Sequence, residues 1–156
     1  MNSEMGAKAT LKSTLYLEQE LVKGRFANVL IPEGKYRARF QEYKTYKAWS
    51  DFKLSMDFFI VDEGPYFGVV LQRYHSVLKV GKKGWKPRSA TCSLMIEWFT
   101  CHPDSPRDIR RDRLPMSRWR ESEYEVSVRT VKNNFQGKKL PKKMWYSKVA
   151  DVLGRV

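Results

Sequence analysis

The fold turns on residues 35–77, KYRARFQEYKTYKAWSDFKLSMDFFIVDEGPYFGVVLQRYHSV. Between 35 and 46 the side chains alternate, with Tyr36, Ala38 and Phe40 on one face and Arg37, Arg39 and Gln41 on the other. That period of two is the mark of a half-buried strand. Trp49-Ser50-Asp51 interrupts it, and a second strand follows over 53–62, with Leu54, Met56, Phe58 and Ile60 as its inner face. Asp62-Glu63-Gly64-Pro65 has turn chemistry, and 66–77 reads as a third strand rich in aromatic and β-branched residues.

Outward from this stretch, Pro32-Glu33-Gly34 is a turn before the first strand. Residues 11–30 fit either a short helix or an extended arm, so 1–28 are read as a partly flexible N-terminal arm on a domain of residues 29–156. Downstream, KVGKKGWKPR (79–88) reads as a loop with two Gly and one Pro. Ser89 is placed to cap a helix over 90–101, in which Leu94, Trp98 and Cys101 fall at helical spacing, and His102-Pro103 stops it. Residues 104–123 read as a polar connector with a salt-bridged surface. A fourth strand over 124–131 presents Tyr124, Val126, Val128 and Thr130 on one face, and KNNFQGKKLPKK leads to a fifth around 144–149. The expected class is mainly β. Three strands, one helix and two strands is the order of an OB-fold, a five-stranded Greek-key barrel with one helix between strands 3 and 4.

A length of 156 residues suits one domain, and 42 % hydrophobic residues suffice for a core. Thirty Lys and Arg against 17 Asp and Glu leave a net charge of +13, a field that attracts polyanions. There is no apolar run long enough to span a membrane and no secretory leader pattern at residues 1–17. Two cysteines, Cys92 and Cys101, are too few for a disulfide scaffold, so reduced thiols and a cytoplasmic location are expected.

In an OB-fold, oligonucleotides lie across strands 2 and 3, between the loops joining strands 1–2 and 4–5. The first of those loops carries Lys44, Tyr46, Lys47 and Trp49, and the second carries Lys132, Phe135, Lys138 and Lys139. The loop after strand 3 adds Lys82, Lys83, Trp85 and Lys86. Segments 43–52, 79–88 and 132–143 together hold 12 of the 30 basic residues and one of the 17 acids. Lysines neutralise phosphates and release counterions, and exposed rings stack on unpaired bases. Arg73 and Tyr74 on strand 3, with Arg37 and Arg39 on strand 1, extend the track. Tyr36, Phe40, Phe58 and Trp98 are assigned to the core.

Catalytic chemistry has no positive support. The cysteines lack CxxC spacing and there are two His, so no zinc site is expected. Neither GxxxxGK[ST] nor GxGxxG occurs, and no cofactor is implied. Glu33-Gly34-Lys35 matches the end of a nuclease motif but has no acidic partner from a preceding strand.

Residues 30–80 resemble a group of small proteins encoded by phages, plasmids and integrative elements. The resemblance is carried by Pro32, Gly34 and Tyr36, by Phe58 to Val61, by Gly64 to Gly68 and by Arg73-Tyr74; Val128 to Val131 and Tyr146 to Val149 fit more loosely. It implies an OB-like single-stranded-DNA-binding role in replication or recombination of a mobile element. One departure is the end of the chain, ADVLGRV, which is not the acidic tail by which bacterial single-stranded-DNA-binding proteins recruit replication enzymes. The expected partner is single-stranded DNA, with self-association through sheet edges or the arm as a further partner and no membrane. The alternatives are an RNA-binding OB-fold and a protein-interaction module, such as a host-defence inhibitor or assembly adaptor.

Overall fold

The computed structural model describes residues 29–156, apart from residues 49, 83 and 135. The expected arm over 1–28 lies outside these. Six strands form one antiparallel sheet: β1 (Gly34–Ala48), β2 (Asp51–Ile60), β3 (Val70–Val80), β4 (Gly84–Pro87), β5 (Glu123–Val131) and β6 (Tyr146–Arg155). Their order in the sheet is β4-β3-β2-β1-β5-β6. Among the described residues the one α-helix, α1 (Ser93–Cys101), lies between β4 and β5 in the chain. The mainly β class is as expected, but among the described residues the strands number six, not five, and the helix follows the fourth strand, not the third, so the arrangement departs from the five-stranded OB-fold.

The added strand lies in the segment read as a loop. Gly81 turns the chain at φ +68, and at Gly84 a Cβ would meet the Val80 carbonyl oxygen at 2.5 Å. These glycines therefore build a hairpin that pairs Val80 with Gly84 and Lys79 with Trp85. Other boundaries move as well: Lys44, Tyr46 and Lys47, read as a loop, belong to β1, and β3 runs over Val70–Val80 instead of 66–77. The helix starts at Ser93 with Cys92 at its cap position, and Ser89 Oγ instead accepts the Thr91 N–H ahead of it. The last strand runs on to Arg155.

Cross-strand partners share a face, so the register sorts the side chains. Phe40, Met56 and Leu54 lie on the inner face with Leu71, Val77, Tyr124, Val126, Val128 and Val149, all buried. The chain has a bulge between Phe40 and Glu42. Before it, Ala38 and Phe40 point inward; after it, Tyr43 and Thr45 do so opposite Met56 and Leu54. The bulge thus puts Glu42, Lys44 and Tyr46 on the outer face. Arg120 holds it, donating Nε–H to the Gln41 carbonyl (3.2 Å) with its guanidinium 5.5 Å from the Phe40 ring centre.

The sheet curls. β6, at one end of the strand order, comes within 8 Å of β3 (Cα–Cα), and α1 lies against β6. Leu94, Met95, Trp98 and Cys101 of α1 are buried in the same core. The connector contributes more than charge. Its 3-10 turn Met116–Glu121 buries Trp119, whose ring meets those of Trp98, His102, Tyr124 and Phe58 at centroid distances of 5.8, 4.7, 5.1 and 6.4 Å. Its charged residues do pair at the surface, Arg118 with Asp104 at 3.0 Å and Arg110 with Asp112 at 2.8 Å.

Candidate nucleic-acid interface

Two ordered regions bring cationic and aromatic side chains together. The first is the β5–β6 connection. Asn134 organises its tip: its side-chain oxygen accepts the N–H groups of Gln136 and Lys138, both at 2.9 Å. Gly137, at φ +82, donates to the Asn134 carbonyl, and Asn133 bridges to Lys139. Lys132, Lys138, Lys139, Lys142 and Lys143 are all exposed on this loop. Among the described residues its aromatic member is Trp145, whose ring has Lys132 Nζ at 4.9 Å and Lys142 Nζ at 5.9 Å from its centre. The indole N–H donates to the Leu140 carbonyl, which fixes the ring. Cation–π attraction holds both ammonium groups beside it.

The second region is the outer face of β1, β2 and β3. The pairing sets Lys44, Ser55 and Tyr74 in one row, Tyr46, Lys53 and Ser76 in the next, and Glu42, Asp57 and Gln72 beyond. On β4, Lys86 is paired with Leu78 of the same face. Lys53 Nζ donates to Ser76 Oγ at 2.8 Å and lies 3.3 Å from Asp51. Tyr146, the first residue of β6, reaches the same place because β6 approaches β3. Burial, and next the neighbouring Tyr146, raises the pKa of Tyr46; burial, then Tyr46, Tyr146 and Asp57, raises that of Tyr74 further. Burial raises Tyr146 as well. The phenols are therefore neutral rings. Burial also raises the Asp57 carboxyl, against a hydrogen bond from Gln72.

The sequence-predicted residues divide among several places. Lys44, Tyr46, Tyr74 and Lys86 share the outer face, and Lys132, Lys138 and Lys139 share the loop. Lys47 is exposed near the end of β1, and Lys82 is exposed in the β3–β4 turn. Arg37 and Arg39 are exposed, but they lie roughly 20 Å or more along the strand from Tyr46, with Arg37 3.6 Å from Glu123. Trp49, Lys83 and Phe135 lie outside the described residues.

Two expectations are corrected by geometry. Trp85 is not a free loop ring: it sits in β4, half-buried, with its centre 6.0 Å from that of Tyr43 in an edge-on contact. Arg73 points to the face opposite Tyr74. Its guanidinium is 11 % exposed and grips Glu97 of α1, with Nε 3.1 Å from both carboxylate oxygens and Nη2 2.5 Å from one.

His75 joins that inner network. Its Nδ1 lies 2.8 Å from Ser93 Oγ, and its Nε2 is 3.4 Å from Glu97 without hydrogen-bond alignment. Burial outweighs the carboxylate and keeps the imidazole pKa below its ordinary value. Burial opposes ionisation of Glu97, but the contacts from His75 and Arg73 prevail and hold its carboxyl low.

Sequence reasoning missed Trp145 and Tyr146. The signal was present, since both follow Lys142-Lys143, but alternation had assigned 144–149 to a strand. Glu33 has a structural role: its carboxylate accepts the Thr130 N–H at 2.9 Å and ties the first turn to β5. Burial raises the Cys101 thiol to about 12. Among the described residues no group of three or more His, Cys, Asp and Glu side chains is arranged to hold a metal ion, and no helix is long and apolar enough to cross a membrane. No protein-family model, curated protein or solved structure matches the chain.

Proposed function

We propose that the protein binds single-stranded DNA with little sequence preference and acts in the replication or recombination of a mobile element. The observation that carries this reading is the β5–β6 loop, where five lysines are exposed and two of them, Lys132 and Lys142, stand beside a fixed indole. Ammonium groups spaced along a loop suit successive phosphates, whose counterions they displace. A ring held among them offers a π-face to an unpaired base. Neither contact selects a base sequence.

A barrel-like frame supports the reading: the sheet curls until β6 returns to β3, with α1 between β4 and β5 and the β3–β4 hairpin beyond the five strands of an OB-fold. The mobile-element assignment rests on the sequence resemblance alone.

Titration of tryptophan fluorescence with a dT oligomer, the matching rU oligomer and a duplex of equal length, across salt, tests the reading. The expected result is tight, quenched binding of the dT oligomer with a log–log salt slope of about −0.7 per phosphate contacted. Tighter binding of the ribo-oligomer would move the assignment to RNA. Equal and unquenched binding of all three would sink it and leave a protein partner as the reading to pursue.

A further inference from the structure

We infer that Tyr46, Tyr74 and Tyr146 form a base-stacking platform on the outer face of the sheet, one that takes unpaired nucleobases. This deepens the single-strand reading and rests on it.

The three residues come from β1, β3 and β6 and are brought near one another only by the tertiary fold. On β2, the strand between β1 and β3, Tyr46 is paired with Lys53, and Tyr74, one row along, with Ser55, small and 1 % exposed. A small residue there leaves room for rings on either side to lie over it. The core lies on the opposite face, where Leu54, Met56 and Phe58 are fully buried. The tyrosines are therefore not needed to fill it. Tyr46 remains 36 % exposed, and Tyr74 and Tyr146 are partly accessible. Rings supported by their neighbours lose little freedom when a base stacks on them.

The electrostatics fit the same ligand. Each phenol is neutral at pH 7, and burial moves its ionisation to still higher pH, so the rings themselves add no negative charge beneath a polyanion. Lys44 is paired with Ser55 and Lys53 with Tyr46, which sets an ammonium group beside the rings on two strands. Tyr146 directly follows Trp145, so the platform is continuous with the lysine loop. The opposing charges are Asp57 and Glu42, both in the third row, and Asp51, 3.3 Å from the Lys53 ammonium. Backbone phosphates can follow the lysines while bases turn toward the rings. A duplex, whose bases are already stacked, has nothing to offer them.

Photo-crosslinking of the unaltered full-length chain to a dT oligomer carrying 5-iodouracil tests this without perturbing the fold. Cross-links at Tyr46, Tyr74 or Tyr146 are expected. In parallel, Tyr46→Leu and Tyr146→Leu should each weaken dT binding about tenfold, the loss of one stacked base, with the salt slope unchanged. Tyr46→Phe and Tyr146→Phe should bind like the parent, and thermal melting shows that each variant is folded. If the parent prefers the single strand but cross-links map only to Trp145 or elsewhere, or the Leu variants bind normally, the platform is wrong and the single-strand reading stands. A parent with no preference for the single strand overturns both.

Discussion

On β3, adjacent residues have opposite fates. Arg73 and His75 face inward, although by sequence Arg73 belongs to the same binding track as Tyr74. Inside, the guanidinium is neutralised by Glu97 and almost sealed from water. Tyr74, between them, faces outward into a cluster of neutral rings beside lysines. A buried cation fully engaged by a carboxylate anchors one element to another, here α1 to β3. A partly exposed ring on the side away from the core is free to meet a partner. Exposure and prior pairing, more than residue type, separate scaffold from interface.

The most severe way to test this contrast is Glu97→Ala. It leaves Arg73 charged and unpaired in a nearly closed site, so about 3–5 kcal/mol of stability should be lost. Urea unfolding measures the loss, and dT affinity at low temperature, where the variant is folded, should match the parent. A large change in affinity with normal stability would reverse the roles assigned to the two faces.

The inner side should also govern the response to acid. Burial, with Arg118 and Arg155 nearby, depresses the His102 pKa to about 4 from an ordinary 6.5. Below pH 6.5 the unfolded chain binds a proton that the folded chain refuses. Stability should therefore fall by about 3 kcal/mol between pH 6.5 and 4 on account of this group. His102→Gln should flatten that part of the profile, and an unchanged slope would show that His102 is not its source.

The outer side should answer to salt. Replacing both Lys132 and Lys142 by Ala should reduce the magnitude of the log–log salt slope by about 1.4, two contacts at about 0.7 each, while thermal stability changes little. If the slope does not move, the loop lysines do not meet phosphate.

The smallest effect expected is a gain. Asp57→Asn removes a carboxylate beside Tyr74 yet keeps an amide oxygen for Gln72 to bond. Affinity for the dT oligomer at neutral pH should rise about twofold, the size of one unit charge about 10 Å from a phosphate in water. The same substitution should stabilise the fold above the raised Asp57 pKa, where the parent must ionise a partly buried carboxyl, and make little difference at lower pH. Weaker binding would place Asp57 among the contacts instead of the repelling charges.

Much of this molecule was legible locally. Alternation at Tyr36, Ala38 and Phe40, and at Leu54, Met56, Phe58 and Ile60, defines strands because side-chain direction repeats every two residues whatever lies around them. The turns at Pro32 and Asp62 and the lysine-rich linker over 132–143 were equally plain, since turn chemistry and charge are properties of short segments. What could not be read there depends on residues far apart. Alternation carried on from Phe40 points Tyr46 inward; the bulge sends it outward, with Arg120, from a segment that reads as polar linker, bonded to the Gln41 carbonyl. Trp119 reads as part of that linker until Trp98, His102 and Tyr124 close around it. Tyr146 joins Tyr46 and Tyr74 because the sheet curls until β6 lies near β3. Strand identity and charge belong to the chain itself; the face on which each side chain emerges, and its neighbours there, come from register and curvature, which are set by contacts between strands.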